Sequence, residues 1–280
     1  MHVKLREKIG FGALLAATLL VVVPILLIIG LIVSRGLNAI TWEFLFSMPR
    51  DGMRAGGIFP AIVGTFYLVL GSIAFSLPIG VMAAIYLHEY ARDNLLTRLI
   101  NLAIVNLAGI SSVVYGLFGL SLFVSFLRFG VSILSGALTL GIMTLPVIIT
   151  TTREALRAVP PYFRDVSLSL GTTRWQTIRY AVLPFALPGI LTGAILSIGR
   201  AAGETAPILF TVAAFYLPNL PQSMFDQAMA LPYHLYIIST QIPGVREDYR
   251  YGTALVLVGM VLIINIAAII VRSKFRRKRW

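Results

Sequence analysis

Residues 197–210 read SIGRAAGETAPILF, placing Arg200 and Glu204 four positions apart in a run that is otherwise apolar from about Leu183 to Val212. On a helix that spacing brings the two side chains onto one face and within reach of each other. At ~100° per residue, Gly189, Gly193, Ser197, Arg200 and Glu204 fall within about 80° of arc, with Gly199 and Gly203 at its margin. The glycines permit close helix approach or leave open space where the charges point. A guanidinium there can pair with the carboxylate or offer a planar fork of donors to an anion. An i, i+4 pair that only stabilises packing would use the same spacing. A charge at the centre of a bilayer costs about 2.5–3.5 kcal/mol on insertion scales, however, and stability alone does not recover that cost, so the pair reads as functional.

Other chemistries find little support. The chain contains no cysteine, which excludes disulfides, thiolate metal sites and a cysteine nucleophile. Its three histidines are His2, His88 and His234, and no H-E-x-x-H or G-x-S-x-G string occurs. A membrane-embedded enzyme using Glu204 as acid or base, or Ser112 as nucleophile, is therefore a competing class without a motif. No G-x-x-x-x-G-K-[ST] string occurs, and the dipeptide Gly-Lys is absent, so any ATP must be bound by another polypeptide. Asn101, Asn106, Ser111, Ser112 and Tyr115 read as interhelical hydrogen-bonding groups, and His88 and Glu89 as interfacial residues at the end of a span.

The elements that must position Arg200 and Glu204 are membrane spans. The composition is 58% hydrophobic and 12% charged, with a mean hydropathy of +0.89, far outside the range of water-soluble domains. Six stretches are long enough to cross about 30 Å of hydrocarbon: 9–33, 58–87, 99–127, 131–151, 184–212 and 252–271. The first is too long for the apolar segment of a signal peptide, and Pro78 and Pro207 are candidate kinks. Of the 23 Lys and Arg residues, 16 fall on one side of this arrangement, at the N-terminus, in the loops with Arg92 and Arg98 and with Arg153 to Arg179, and in the tail RSKFRRKRW. Six fall on the other side, and Arg200 alone lies within a span. The positive-inside rule then puts both termini in the cytoplasm. Cationic flanks beside anionic headgroups also account for the net charge of +12 without a nucleic-acid partner. The resulting fold class is an all-α membrane protein with six transmembrane helices. Residues 1–57 form a first span and an extracytoplasmic loop, and residues 58–280 a five-span core with a basic tail from 272.

Two loops are long. The one at 213–251 carries Pro218, Pro221, Pro232 and Pro243. The cytoplasmic one, 152–183, is amphipathic: Pro160 and Pro161 on one side and Gly171 on the other frame a short helix over YFRDVSLSL, and Trp175 to Val182 can lead as helix into the fifth span. Its order of residues resembles the cytoplasmic signature of ABC-importer permeases. An acidic residue and two small ones, here Asp165, Val166 and Ser167, precede Gly171, and Leu183-Pro184 follows. Asp for Glu, Val for Ala, and Ala181 for Ile are departures from that pattern. The wider text, EALRAVP, LGTTRWQTIRYAVLP, LPGILTGAILSIGRAAGETAPILFT and SSVVYGLFGL, is similar to the PstA-type permeases of bacterial phosphate importers, except for Ser112 where a proline is expected.

That resemblance implies a type I importer permease of the bacterial inner membrane that translocates inorganic phosphate. It implies a sister permease chain, a dimer of ATPase subunits that holds the ATP and magnesium, and an extracytoplasmic phosphate-binding protein. No cofactor would sit on this chain. Asp165, Val166, Ser167, Gly171, Leu183 and Pro184 would couple it to the ATPase, and Arg200, Glu204 and Ser197 would line the substrate path. Sulfate, molybdate and phosphonate are the alternative substrates within this class. With phosphate as substrate, the residues predict a gate in which Arg200 exchanges between Glu204 and the passing anion, the carboxylate keeping occupancy transient.

Overall fold

The computed structural model describes residues 2–217 and 219–277. Pro218 and the tail residues Lys278, Arg279 and Trp280 lie outside the described residues. The chain is helical almost throughout. Helix α1 (His2–Gly36) is followed by a short connection with α2 (Trp42–Phe46) and a two-strand hairpin of β1 (Pro49–Arg50) and β2 (Ala55–Gly56) in antiparallel register. Then come α3 (Phe59–Ile85), which ends in a π-helical turn at Tyr86–Tyr90, α4 (Leu95–Ala108), and α5 (Ser112–Gly119), which continues as π-helix to Phe126. The remainder is α6 (Ile133–Arg157), α7 (Tyr162–Ser169), α8 (Arg174–Thr177), α9 (Leu183–Gly203), α10 (Ala206–Thr211), α11 (Leu231–Thr240) and α12 (Glu247–Arg277).

Among the described residues, five helical stretches are long and apolar enough to cross a membrane: Gly10–Ala39, Phe59–Tyr90, Ile133–Arg157, Arg174–Gly203 and Glu247–Lys274. In the bundle α6 lies between α3 and α9, α12 packs on α9, and α1 packs on α12. The prolines Pro24, Pro78, Pro146 and Pro188 all sit inside continuous helices, as neighbouring helices in a membrane bundle permit.

Two expected spans are not single helices. The stretch 99–127 is bent by 106° between Leu95–Ala108 and Ser112–Phe126. Gly109 closes α4, Ser111 is extended at φ −62°, ψ 142°, and α5 starts afresh at Ser112. Glycine is a poor helix former, and a following Ser-Ser favours a helix start over a helix interior. Ser112 occupies the first turn of α5, where the proline expected at this position would also be tolerated. The Arg153 guanidinium, four residues before the end of α6, donates to Asn101 Oδ1 at 2.6 Å. The middle of α4 therefore lies level with the end of α6 rather than deep in the bundle.

The stretch 184–212 is the second. Helix α9 stops at Gly203, and Glu204 is extended at φ −76°, ψ 136°. Pro207, near the start of α10, has no N–H, and its ring would clash with the carbonyl four residues back, which is that of Gly203. The helical stripe thus ends one residue before Glu204.

Candidate functional site

The break between α9 and α10 holds the two charges that the sequence singles out. Arg200 Nε lies 3.5 Å from Glu204 Oε1, with side-chain exposures of 34% and 19%. The pair forms, although only Arg200 is helical. At 3.5 Å the contact is an ion pair and not a short hydrogen bond, so the guanidinium fork is held loosely. A methyl group placed at Gly203 would meet nothing within 4 Å, so the break is open on that side.

The rest of the stripe is closed. A Cβ at Gly189 would come within 2.4 Å of Ala155, and one at Gly193 within 2.0 Å of the Thr151 hydroxyl. These glycines therefore serve close packing of α9 on α6. Ser197 is fully buried, and its hydroxyl has no partner among the described residues.

The two discontinuous stretches meet. A Cβ at Gly116 of α5 would meet Phe210, the Ala206 carbonyl and Pro207 at 2.7–3.1 Å, so α10 lies directly on α5. Tyr115, on the same turn of α5, donates to the Leu107 carbonyl across the α4–α5 bend at 2.8 Å and lies in the electrostatic field of Arg200. Asn265 of α12, which the sequence reading passes over, sits beside Gly199, and its buried Oδ1 has no partner among the described residues. An Asn in the apolar string LIINIAAII is the signal that could have marked it.

At the α7 end of the bundle, the signature residues fall into two groups. Asp165 is exposed, and Val166 is 58% exposed, both on α7. Ser167 turns inward and shares hydrogen bonds of 2.9 and 3.0 Å with the Thr172 and Thr177 hydroxyls, which fixes α7 against α8. Gly171 lies just past α7 at φ +79°. That left-handed conformation costs a side-chain-bearing residue roughly 1–2 kcal/mol. Thr173 then starts α8 with a capping box completed by Gln176. From Arg174 the chain runs as one helical stretch into α9 through a π-helical turn at Ile178–Val182, and Leu183 and Pro184 form the first turn of α9. The wide turn precedes Pro184, which cannot donate an α-helical bond of its own.

The sequence reading also misses the most densely bonded polar group in this region. Arg164 of α7 donates to Glu89 from Nε at 3.2 and 3.3 Å and from a terminal nitrogen at 2.7 Å. It also donates to the carbonyls of Val159 and Leu156, each at 3.1 Å. Glu89 lies in the π-helical turn that ends α3, and its side chain is 13% exposed. Periodicity could not pair positions 75 residues apart. Among the described residues no three His, Asp or Glu side chains gather as a metal site would require.

Comparison with known proteins places this geometry. Residues 76–280 match the family described as binding-protein-dependent transport system inner membrane component. The probable ABC transporter permease protein YqgI of Bacillus subtilis is 32% identical, over 96% of this chain and 95% of its own length. The phosphate transport system permease protein PstA 1 of Mycobacterium tuberculosis H37Rv is 32% identical over 99% of this chain and 90% of its length. Among solved structures, a chain of a bacterial alginate ABC transporter in complex with a pentasaccharide-bound periplasmic protein superposes with a TM-score of 0.65, at 17% identity, over 94% of each chain.

Proposed function

Because the chain belongs to the family of binding-protein-dependent transport system inner membrane components, we propose that it is the permease subunit through which an ATP-driven importer passes inorganic phosphate. It is a multi-pass inner-membrane transport component and not an enzyme. Relatives named as phosphate permeases align along almost the whole chain. The structural observation that supports an oxyanion as cargo is the Arg200–Glu204 pair, poised at an open helix break beside α5; the names of the relatives favour phosphate among the oxyanions. In secondary transporters, discontinuous helices hold substrates and coupling ions at their broken ends, and the break at Glu204 offers the same kind of site. A guanidinium whose fork is only loosely occupied by a carboxylate can exchange that partner for two oxygens of an oxyanion.

In this reading α7 inserts into a cleft of the ATPase, with Asp165 and Val166 outward and Gly171 turning the chain back. The Lys and Arg distribution supports a cytoplasmic location for that end of the bundle and for both termini. A sister permease supplies the other half of the path, an extracytoplasmic phosphate-binding protein delivers the anion, and ATP with magnesium resides on the ATPase dimer. The test is uptake of labelled phosphate by proteoliposomes of the whole complex with its binding protein, with sulfate, molybdate and phosphonate as competitors. ATP-dependent phosphate uptake that the other anions do not reduce is the expected result. Uptake of one of the competitors in its place would overturn the assignment.

A further inference from the structure

Helix α7 could be tied to the membrane bundle by its flanking turns alone, yet one of its side chains is half-buried in a node that joins three elements. The three nitrogens of Arg164 hold both carboxylate oxygens of Glu89, at the end of α3, and two carbonyls, Leu156 in the last turn of α6 and Val159 just beyond it. The last carbonyls of a helix lack intrahelical donors, and a cation there also meets the negative end of the helix dipole. Arg164 thus closes α6, pairs with α3 and belongs to α7. Exposures of 21% for Arg164 and 13% for Glu89 set this pair apart from the Arg98–Asp93, Arg157–Glu154 and Arg246–Asp248 pairs, in each of which at least one partner is more than two-thirds exposed. Exposed pairs contribute little to stability. A partly buried pair with two further hydrogen bonds to helix-end carbonyls fixes geometry, because removing either partner breaks a charged contact that water replaces only in part.

From this node a rigid route leads to the helix break. Helix α6 and α9 are in van der Waals contact at Ala155 with Gly189 and at Thr151 with Gly193, where not even a methyl group would fit. Seven residues beyond Gly193, on the same helix, is Arg200. At these two contacts α6 and α9 have no slack, so displacement of the end of α6 is passed to α9.

We propose that Arg164 is a positioning residue for transport coupling. It clamps α7 to the ends of α3 and α6, so that movement of α7 is passed to α9 and to the Arg200–Glu204 break. The inference rests on the assignment of α7 as the ATPase contact. A lysine at 164 could reach Glu89 or a carbonyl but could not hold all of them, because it lacks the planar fork. Loss of the clamp therefore leaves α7 in place on the ATPase while its motion no longer moves the break.

The experiment uses the complete importer in proteoliposomes and reads phosphate transported per ATP hydrolysed, with ATPase retention and thermal midpoint as parallel measurements. For Arg164→Lys and Glu89→Gln the transport-to-hydrolysis ratio should fall about tenfold while the ATPase stays bound. The chain has no cysteine of its own, so in an importer whose other subunits are made cysteine-free the pair Glu89→Cys with Arg164→Cys can be bridged by a short bis-methanethiosulfonate reagent and released again with reductant. Bridging should restore the ratio, and reduction of the same vesicles should abolish it. A merely structural role would lower the thermal midpoint or the yield and leave the ratio unchanged. That result, or a ratio indifferent to bridging, would overturn the clamp. Failure of the unaltered importer to take up phosphate would instead count against the transport assignment.

Discussion

At the scale of single residues, Arg200 and Glu204 carry the most specific expectation. Arg200→Lys keeps the charge and loses the fork; with hydrogen bonds to charged groups worth about 1.5–3 kcal/mol, phosphate uptake should fall about tenfold to a hundredfold at unchanged assembly. Glu204→Gln separates two roles. If the carboxylate competes with the anion, its amide slows turnover or permits a leak without ATP, measured as phosphate flux with and without nucleotide and normalised to assembled complex. If Glu204 only neutralises Arg200, the thermal midpoint drops and flux per folded complex stays near normal. His234, in α11, yields a pH prediction. It is buried with neither ring nitrogen bonded to a described residue, and burial lowers its pKa from 6.5 to about 4. The unfolded chain therefore takes up a proton below about pH 6.5 that the folded chain refuses. Stability from this group is constant above that value and declines as the pH falls, by about 2 kcal/mol between pH 6.5 and pH 5. Thermal midpoints of the purified importer should show this slope, and His234→Leu should flatten it.

At the scale of elements, Gly171→Leu puts a side chain where φ is +79° and strains the turn that returns α7 to the bundle. The subunit should still insert, while ATPase binding and phosphate-stimulated hydrolysis fall together; survival of both would remove α7 from the coupling path. Much of this end was legible in the sequence. Paired prolines before residue 162 and a glycine at 171 bracket a short amphipathic helix, and α7 runs Tyr162–Ser169. The ends of α4 and α9 were not, because hydropathy averages over a window and cannot see a chain that changes direction without changing polarity. Gly109, Ser111 and Ser112 are mild signals individually, and the effect of Pro207 depends on the carbonyl of Gly203 lying in its way. Helical periodicity still brought Arg200 and Glu204 together, since a carboxylate one residue past a helix end reaches much the same place as one on the next turn. Arg164 with Glu89 was beyond sequence reading because their meeting depends on how α3 and α6 end beside each other.

At the scale of the whole molecule, the bend between α4 and α5 alters how the protein fits its membrane. If residues 112–126 cross alone beyond the 106° bend, they reach at most about 22 Å at 1.5 Å per residue. The hydrocarbon layer is about 30 Å thick. A span that short would thin the adjacent lipid, or draw water and headgroups inward, at a modest cost for each ångström of mismatch. Because α10 lies against α5 at Gly116, a dip there would shorten the dielectric barrier on the anion path proposed at Arg200. Acyl chain length thereby becomes a control on transport. Proteoliposomes of matched headgroup composition should pass phosphate more slowly as the chains lengthen from 14 towards about 22 carbons, with ATPase assembly unchanged.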